Sequence, residues 1–399
     1  MTSPRLFGPE TIANPYPLYH SLRATQPVYW AEGIDGWLVT RYDDVSAALR
    51  NPKFSATGRN ELMRRKITDP QMLAPVLEGS QNMLFTDPPA HTRMRSLVSK
   101  AFTPGAVEAM ADRIRELVDE FLTAAQRRGR MEVIADLAYP LPVTVICDML
   151  GLPAQDRAQF KSWSNAIAAF VNTAGDMTPE VVRAGVQARL EFVKYLRGIV
   201  AQRRQQPRDD LITALMQAHE GADRLSELEL YSNGVLLLIA GNETTTNLIG
   251  TAILNLLQNP DQLNLLRSDA RLLGNAVEEL LRFDSPVQLI TRIALEDVTL
   301  GGTLIHKGQI LWLVLGAANH DSEHYADPDR VDIRRENINH LAFGAGMHFC
   351  LGAPLARLET QIAIDGIVRR FPNLRLPKQE LRYLDNYTLR GLQSLQVEF

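Results

Sequence analysis

The chain of 399 residues contains only two cysteines, Cys147 and Cys350, which are too few for a disulfide framework. Sparing use of cysteine is typical of proteins from a reducing compartment. We therefore predict a cytoplasmic protein whose core is stabilised by packing.

Long apolar runs are also missing. A membrane-spanning helix needs about 18 or more consecutive apolar residues, and the nearest candidate, residues 235–240, is interrupted by the polar run 241–246. The first residues, 1–8, contain no apolar core of signal-peptide length. The sequence therefore predicts no membrane anchor and no secretion signal.

The charge balance shows no strong excess of either sign. With 42 basic and 46 acidic residues the net charge is −4, so nothing in the composition suggests nucleic acid as a partner. The hydrophobic fraction of 45% is ordinary for a globular protein. We find no repeat, low-complexity tract or long linker. Although the length alone would permit two or three domains, we predict a single domain over residues 1–399.

Helical periodicity dominates from about residue 104 to residue 260, and short strand patterns occur near both ends of the chain. The fold class predicted is mainly α with a small β-rich portion (α+β). Helix breaks are predicted at 128–129, 151–153, 175–176 and 206–208. Strands are predicted at 27–30, 37–40, 292–300, 303–305 and 310–314.

One predicted helix is unusually long. Ser226 and Glu229 form a capping-box pattern, and apolar periodicity continues to Pro260, about 33 residues or roughly 50 Å further on. Its middle carries the polar run 240–245, where glycine costs about 1 kcal/mol and buried polar groups need partners. The run indicates either a kink that packs on a neighbour through small residues or a functional site.

Cys350 lies in the glycine-rich run 343–352. Glycines let a loop approach a large flat group closely. Residues 353–359 predict a helix with Pro354 in its first turn, which places the sulfur near the positive end of a helix dipole and favours a thiolate. A thiolate ligates soft or borderline metals. Cys147, within the apolar helical pattern 143–150, is interpreted as a core thiol.

The run 343–352 resembles the haem-binding loop of the cytochrome P450 superfamily, and the chain resembles its soluble bacterial type. The matching residues are Phe343, Gly344, Gly346, His348, Cys350 and Gly352. The resemblance implies haem b as cofactor, with Cys350 as the iron ligand and Phe343 beside it. It also implies the cytochrome P450 fold, with a long central helix over the haem.

The run 240–245 resembles the oxygen-binding signature of the same family. The resemblance implies that Ala240 and Gly241 lie against the haem. It further implies that Thr244 holds dioxygen and a water, and that Glu243 passes protons inward.

Four further residues match family positions that bind the haem propionates: His91, Arg95, Arg292 and His348. Arg292 is expected to begin a strand. Glu279 and Arg282 match the family's structural glutamate–arginine pair, with Arg335 as the expected partner and Arg330 as the alternative. Val331 stands where the family usually has phenylalanine.

The substrate cavity is expected to be mostly apolar, which suits a medium-sized lipophilic molecule such as a terpenoid, fatty acid, steroid or polyketide. Its wall is predicted to contain Leu84, Ile239, Ala240, Gln288, Ile290 and Leu389. Gln288 is expected to supply one orienting hydrogen bond.

The resemblance implies a monomeric monooxygenase of secondary metabolism. It would insert one oxygen atom of O₂ into a C–H bond or a double bond, with electrons from a ferredoxin and a ferredoxin reductase. The alternatives are a peroxygenase that uses hydrogen peroxide and a haem-binding sensor without turnover. The intact pair Glu243–Thr244 favours the monooxygenase.

Overall fold

The computed structural model describes residues 8–171, 178–220 and 223–399. The predicted helix break at 175–176 and residues 1–7 of the N-terminal segment lie outside the described residues. In the described part, helices predominate and a small sheet is present, so the predicted fold class is confirmed.

The helices are bounded as follows. The first group comprises α1 Pro9–Ala13, α2 Tyr16–Thr25, α3 Tyr42–Arg50, α4 Gly58–Lys66, α5 Pro70–Gly79, α6 Ala90–Ala101, α7 Pro104–Glu108, α8 Ala111–Arg128 and α9 Pro140–Leu150. The second comprises α10 Arg157–Val171, α11 Pro179–Gln205, α12 Leu211–Gln217, α13 Glu227–Gln258, α14 Pro260–Ser268, α15 Leu273–Phe283, α16 Leu315–Ala318 and α17 Ala353–Arg370.

The strands are β1 Val28–Ala31, β2 Gly36–Val39, β3 Phe54–Ser55, β4 Met131–Glu132, β5 His219–Glu220, β6 Asp223–Arg224, β7 Leu289–Ala294, β8 Val298–Leu300, β9 Thr303–Ile305, β10 Ile310–Val314 and β11 Gln396–Val397. The largest sheet has the order β1-β2-β10-β7-β3, so segments from both ends of the chain form it, as predicted. Within this sheet β2 and β10 pair in parallel, and the other neighbours pair antiparallel.

The predicted strand 292–300 has the wrong bounds, because the structure divides it into β7 and β8 and β7 begins earlier. Strand β7 begins at Leu289, so Arg292 is an interior residue that pairs with Leu311 of β10. The pairing with β10 extends the strand toward its N-terminus, because Leu289 and Ile290 find backbone partners there. Arg292 is therefore held within the sheet.

The long central helix is confirmed as α13. The Ser226 hydroxyl accepts from the N–H of Glu229, whose carboxylate accepts from the N–H of Ser226 in return. The helix ends at Gln258, just before Pro260. It packs against α9, α11, α15 and α17, which bury most of its length. Cys147 of α9 is fully buried in this core, as predicted.

A buried ion cluster joins α15 to the irregular segment that precedes the Cys350 loop. Arg282 and Glu279 are fully buried and pair through two bonds of 2.8 and 2.9 Å. Of the two arginines that the sequence left open, Arg335 contacts Glu279, at 3.1 and 3.2 Å. Arg330 contributes its carbonyl, which accepts from Arg282 and Arg335. Val331 is buried in the core beside them.

No helix within residues 8–171, 178–220 and 223–399 has both the length and the apolar character required to cross a membrane.

Candidate functional site

A cavity of about 420 Å³ lies beside the middle of α13. Its wall is mostly apolar and combines residues that are far apart in the sequence. Of the residues predicted for the site, those on the wall are Leu84, Arg95, Ile239, Ala240, Gly241, Glu243, Thr244, Ile290, Arg292, Phe343, His348, Cys350 and Leu389. The structure thus brings the cysteine loop, the polar run of α13 and most of the predicted substrate wall into one cavity.

The loop that holds Cys350 depends on its glycines. Gly344 and Gly346 have φ values of +70° and +69°, in the left-handed region that L side chains rarely adopt. A Cβ on Gly346 would also lie 2.9 Å from the carbonyl oxygen of Leu49. The N–H of Cys350 donates to the carbonyl of Phe343 at 3.0 Å and closes the loop. The turn therefore presents the sulfur to the cavity just before α17 begins.

The groups around Cys350 act on the pKa of its thiol in opposite directions. Burial raises the pKa of the Cys350 thiol, whereas hydrogen bonds from Gly352 and Ala353 and the charges of Arg95 and Arg357 lower it. Burial is the largest of these effects, and the N–H groups at the start of α17 oppose it. A metal ion on the sulfur would displace the proton. The loop thus surrounds a buried sulfur with N–H donors and two cations, which suits a metal ligand.

Cationic and imidazole donors converge beside the loop. The rings of His91 and His348 lie 4.2 Å apart, and both ring nitrogens of His91 and Nε2 of His348 have no hydrogen-bond partner among the described residues. Burial, with Arg292 and His91 next in effect, lowers the pKa of His348 to about 3. Burial also lowers the pKa of Arg292 to about 10. Buried donors without acceptors indicate a missing acceptor group.

These features fit haem b, the cofactor that the resemblance implies. Arg95, Arg292 and His348 line the cavity and would satisfy two carboxylates, with His348 Nε2 unpartnered among the described residues. His91, whose ring nitrogens are also unpartnered in that part of the chain, packs against His348 but is not on the described cavity wall. The sulfur of Cys350 lies on the same cavity wall, and the remaining lining is mainly apolar. A flat, apolar group with two acidic substituents and a thiolate-binding metal matches this donor set.

The polar run of α13 is satisfied without breaking the helix. The Thr244 hydroxyl donates to the carbonyl of Ala240 at 2.7 Å, and α13 stays helical throughout. Glu243 accepts from the Ser164 hydroxyl at 2.8 Å, and burial raises the pKa of Glu243. The run therefore places a hydroxyl and a largely buried acid on one cavity wall.

Gln288 requires a correction, because its side chain is not part of the described cavity wall. Its Nε2 donates to the carbonyl of Ser285 at 2.8 Å, and its Oε1 accepts from the Tyr19 hydroxyl at 3.2 Å. The amide packs over Gly316, where a Cβ would lie 2.2 Å from Oε1. These contacts hold Gln288 in the core behind the strand, so it orients no substrate.

Sequence reasoning missed three residues at this site. Ser164 holds Glu243, and Arg59 and Arg189 place guanidinium groups on the cavity wall. Ser164 lies in the ordinary helical pattern of α10, and neither arginine belongs to a motif. Their roles depend on how α4, α10 and α11 pack around α13, which no local pattern predicts.

Comparison with known proteins gives one consistent result. The family model described as cytochrome P450 matches residues 38–393. The protein named cytochrome P450 107B1 from Saccharopolyspora erythraea is 44% identical over 380 residues, 93% of this chain and 91% of that protein. Cytochrome P450 monooxygenase PikC from Streptomyces venezuelae is 41% identical over 401 residues, 98% of this chain and 92% of that protein.

Solved structures of cytochromes P450 are also similar to this chain. The polyketide synthase cytochrome P450 PksS of Bacillus subtilis matches with a TM-score of 0.89 at 36% identity, covering 98% of each chain. A crystal structure of P450BioI in complex with an acyl carrier protein ligated to hexadec-9Z-enoic acid matches with a TM-score of 0.91 at 37% identity. It covers 98% of this chain and 99% of that chain.

Proposed function

The chain belongs to the cytochrome P450 family, and on that premise we propose that it hydroxylates or epoxidises a lipophilic small molecule with electrons from a ferredoxin and a ferredoxin reductase. Membership makes it a monooxygenase that binds haem b and uses O₂ and redox partner proteins. The observation that most directly supports this proposal is that Cys350, Glu243 and Thr244 line one mostly apolar cavity. The sparing use of cysteine supports a cytoplasmic location.

We assign the cofactor contacts as follows. Cys350 would ligate the iron, and Phe343, Ala240 and Gly241 would contact the haem from the same cavity wall. His91, Arg95, Arg292 and His348 would bind the propionates. The assignment is supported by the unpartnered nitrogens of His91 and His348 and by the burial of Arg292.

Haem bound through a thiolate activates O₂, so that one oxygen atom enters the substrate and the other leaves as water. The protein supplies protons and position. Glu243 keeps its proton to higher pH than an exposed glutamate, because burial raises its pKa, and Ser164 holds one of its oxygens. The Thr244 hydroxyl lies one residue further on and directs that proton through water. Leu84, Ile239, Ile290 and Leu389 enclose an apolar substrate.

The proposal is tested by turnover under ¹⁸O₂ with ferredoxin, its reductase and NADH, using lipophilic compounds chosen by a substrate-induced Soret shift. We expect one ¹⁸O atom in the product and dependence on the complete electron chain. Turnover that needs only hydrogen peroxide would establish the peroxygenase instead. Reduction without oxygen incorporation into any bound compound would support the sensor.

Removal of the propionate donors is expected to weaken haem retention. In Arg292→Ala or His91→Ala a carboxylate loses a buried donor, at a cost of roughly 1–3 kcal/mol or more. Haem should transfer faster to apomyoglobin, while the Soret position stays nearly unchanged because Cys350 is intact. Arg64→Ala, on the exposed face of α4, is the control. Normal retention in both variants would contradict the assignment.

Thr244→Ala is expected to uncouple electron use from product formation. Without the hydroxyl, protons are less well directed, so NADH oxidation persists while product per NADH falls and hydrogen peroxide rises. Thr244→Ser, which keeps a hydroxyl, should remain largely coupled. Glu243→Gln should instead slow NADH oxidation, because the proton supply from the buried acid is lost. If Thr244→Ala stayed fully coupled, the only role left for the Thr244 hydroxyl would be its hydrogen bond to the carbonyl of Ala240.

A further inference from the structure

Two arginines line the cavity on elements that are separate from the cysteine loop. Arg59 lies near the start of α4, and Arg189 lies in α11. Arg59 is only 6% exposed, so its guanidinium is inside the protein. Neither residue is needed for the cofactor contacts assigned above.

The guanidinium of Arg59 has few polar contacts within the described part of the chain. Its Nε has no hydrogen-bond partner there, and its Nη1 reaches the Ser80 hydroxyl at 3.4 Å. The aromatic rings of Phe85 and Phe170 flank it, with centroids 4.8 and 5.1 Å away. These rings fix the plane of the guanidinium but offer no acceptor. A buried cation in this state is costly unless an anion joins it.

Arg189 adds a second positive charge near Arg59 and so increases the cost of leaving Arg59 without an anion. Its Nη1 donates to the carbonyl of Pro75 at 3.0 Å, and its side chain packs against Gly79, where a Cβ would lie 2.2 Å from Nε. Burial and then the charge of Arg189 lower the pKa of Arg59, to about 10. Glu78 lies near Arg189 and offsets part of its charge. Arg59 thus remains the uncompensated cation of the two.

The charges around the cavity do not balance. Among the described residues that line it, the arginines are Arg59, Arg95, Arg189 and Arg292, and the acid is Glu243. Glu243 is bonded to Ser164 and raised in pKa by burial. The haem propionates would pair with Arg95 and Arg292, as assigned above. No described wall residue supplies an anion for Arg59.

We propose that the substrate is a lipophilic carboxylic acid and that Arg59 binds its carboxylate, with Arg189 adding positive charge beside it. The planar guanidinium has five N–H donors, two of which can donate parallel hydrogen bonds to a carboxylate. The apolar body would then lie along the wall that contains Phe85 and Ile239. This inference deepens the proposed function and rests on it, because it takes the same cavity as the substrate pocket.

The test compares dodecanoic acid with methyl dodecanoate and dodecan-1-ol, which share the chain but carry no charge. Isothermal titration calorimetry of the haem-loaded protein measures affinity independently of turnover. We expect the acid to bind at least about tenfold more tightly than either neutral compound, as a charge-assisted hydrogen bond implies. In Arg59→Gln the preference should fall to about twofold or less, while ester affinity is unchanged.

Two further variants keep the result interpretable. Arg59→Lys retains the charge but not the planar fork, so part of the preference should remain. Arg64→Gln, on the exposed face of the same helix, should bind all three compounds as the parent does. If Arg59→Gln does not fold, the Arg59→Lys and parent titrations still compare acid with ester.

Equal affinity of the parent protein for the acid and its ester would overturn the inference. So would an Arg59→Gln protein that loses haem but keeps its preference for the acid, because Arg59 would then belong to the cofactor. The proposed function is tested separately, by ¹⁸O incorporation and by the Soret band of the reduced carbon monoxide complex, which reports a thiolate ligand. If the parent protein incorporates ¹⁸O but binds the acid and the ester equally well, only the assignment of Arg59 is refuted.

Discussion

Cys350→Ser is expected to abolish both the strongly red-shifted Soret band of the reduced carbon monoxide complex and all substrate oxidation. A serine hydroxyl is a harder ligand than sulfur and keeps its proton, so it cannot donate electron density to the iron as a thiolate does. The loop should still fold, because the left-handed glycines Gly344 and Gly346 and the N–H of residue 350 are unchanged. The loss should therefore be chemical rather than structural.

Cys147→Ala is the matched control, because Cys147 is the other cysteine of the chain and lies in the core of α9. It should keep the red-shifted band and turnover, with at most a modest fall in the thermal midpoint. The measurements are the reduced carbon monoxide difference spectrum and product formation. A Cys350→Ser protein that retained both would mean that another residue ligates the iron.

Arg282→Met is expected to destabilise the folded protein strongly. It removes the fully buried partner of Glu279 and leaves Arg335 as the remaining cation beside that carboxylate, which costs on the order of 3 kcal/mol. It also removes donors from the carbonyls of Asn319 and Pro328, which lie in the segment that leads to the Cys350 loop. We expect a large fall in the urea midpoint and poor haem incorporation.

Arg183→Met provides a control with the same spacing. Arg183 and Glu180 are also three residues apart on a helix, but their side chains are 60% and 73% exposed. Water screens this pair, so the urea midpoint should not change measurably. If Arg282→Met unfolded at the same urea concentration as Arg183→Met, the buried cluster would not stabilise the fold in the proposed way.

The sequence by itself determined the features that local patterns encode. The capping box of Ser226 and the stop at Pro260 predicted α13, because cap and proline effects act within one helical turn. The glycines around Cys350 predicted a loop, since φ values near +70° are a property of single residues. Because such patterns are short and their spacing is rigid, the resemblance to a family could be read from them.

The tertiary structure decided what depends on packing between distant segments. The sequence left Arg335 and Arg330 as alternatives, and only the path of the chain after α15 brought Arg335 onto Glu279. The tertiary structure placed the Gln288 side chain behind β7, because Gly316 leaves space there. The predicted substrate contact of Gln288 is therefore wrong. The tertiary structure also paired Ser164 with Glu243 and brought Arg59 together with Arg189 at the cavity. A side chain's direction into a cavity depends on every element that surrounds it, and one segment's periodicity does not contain that information.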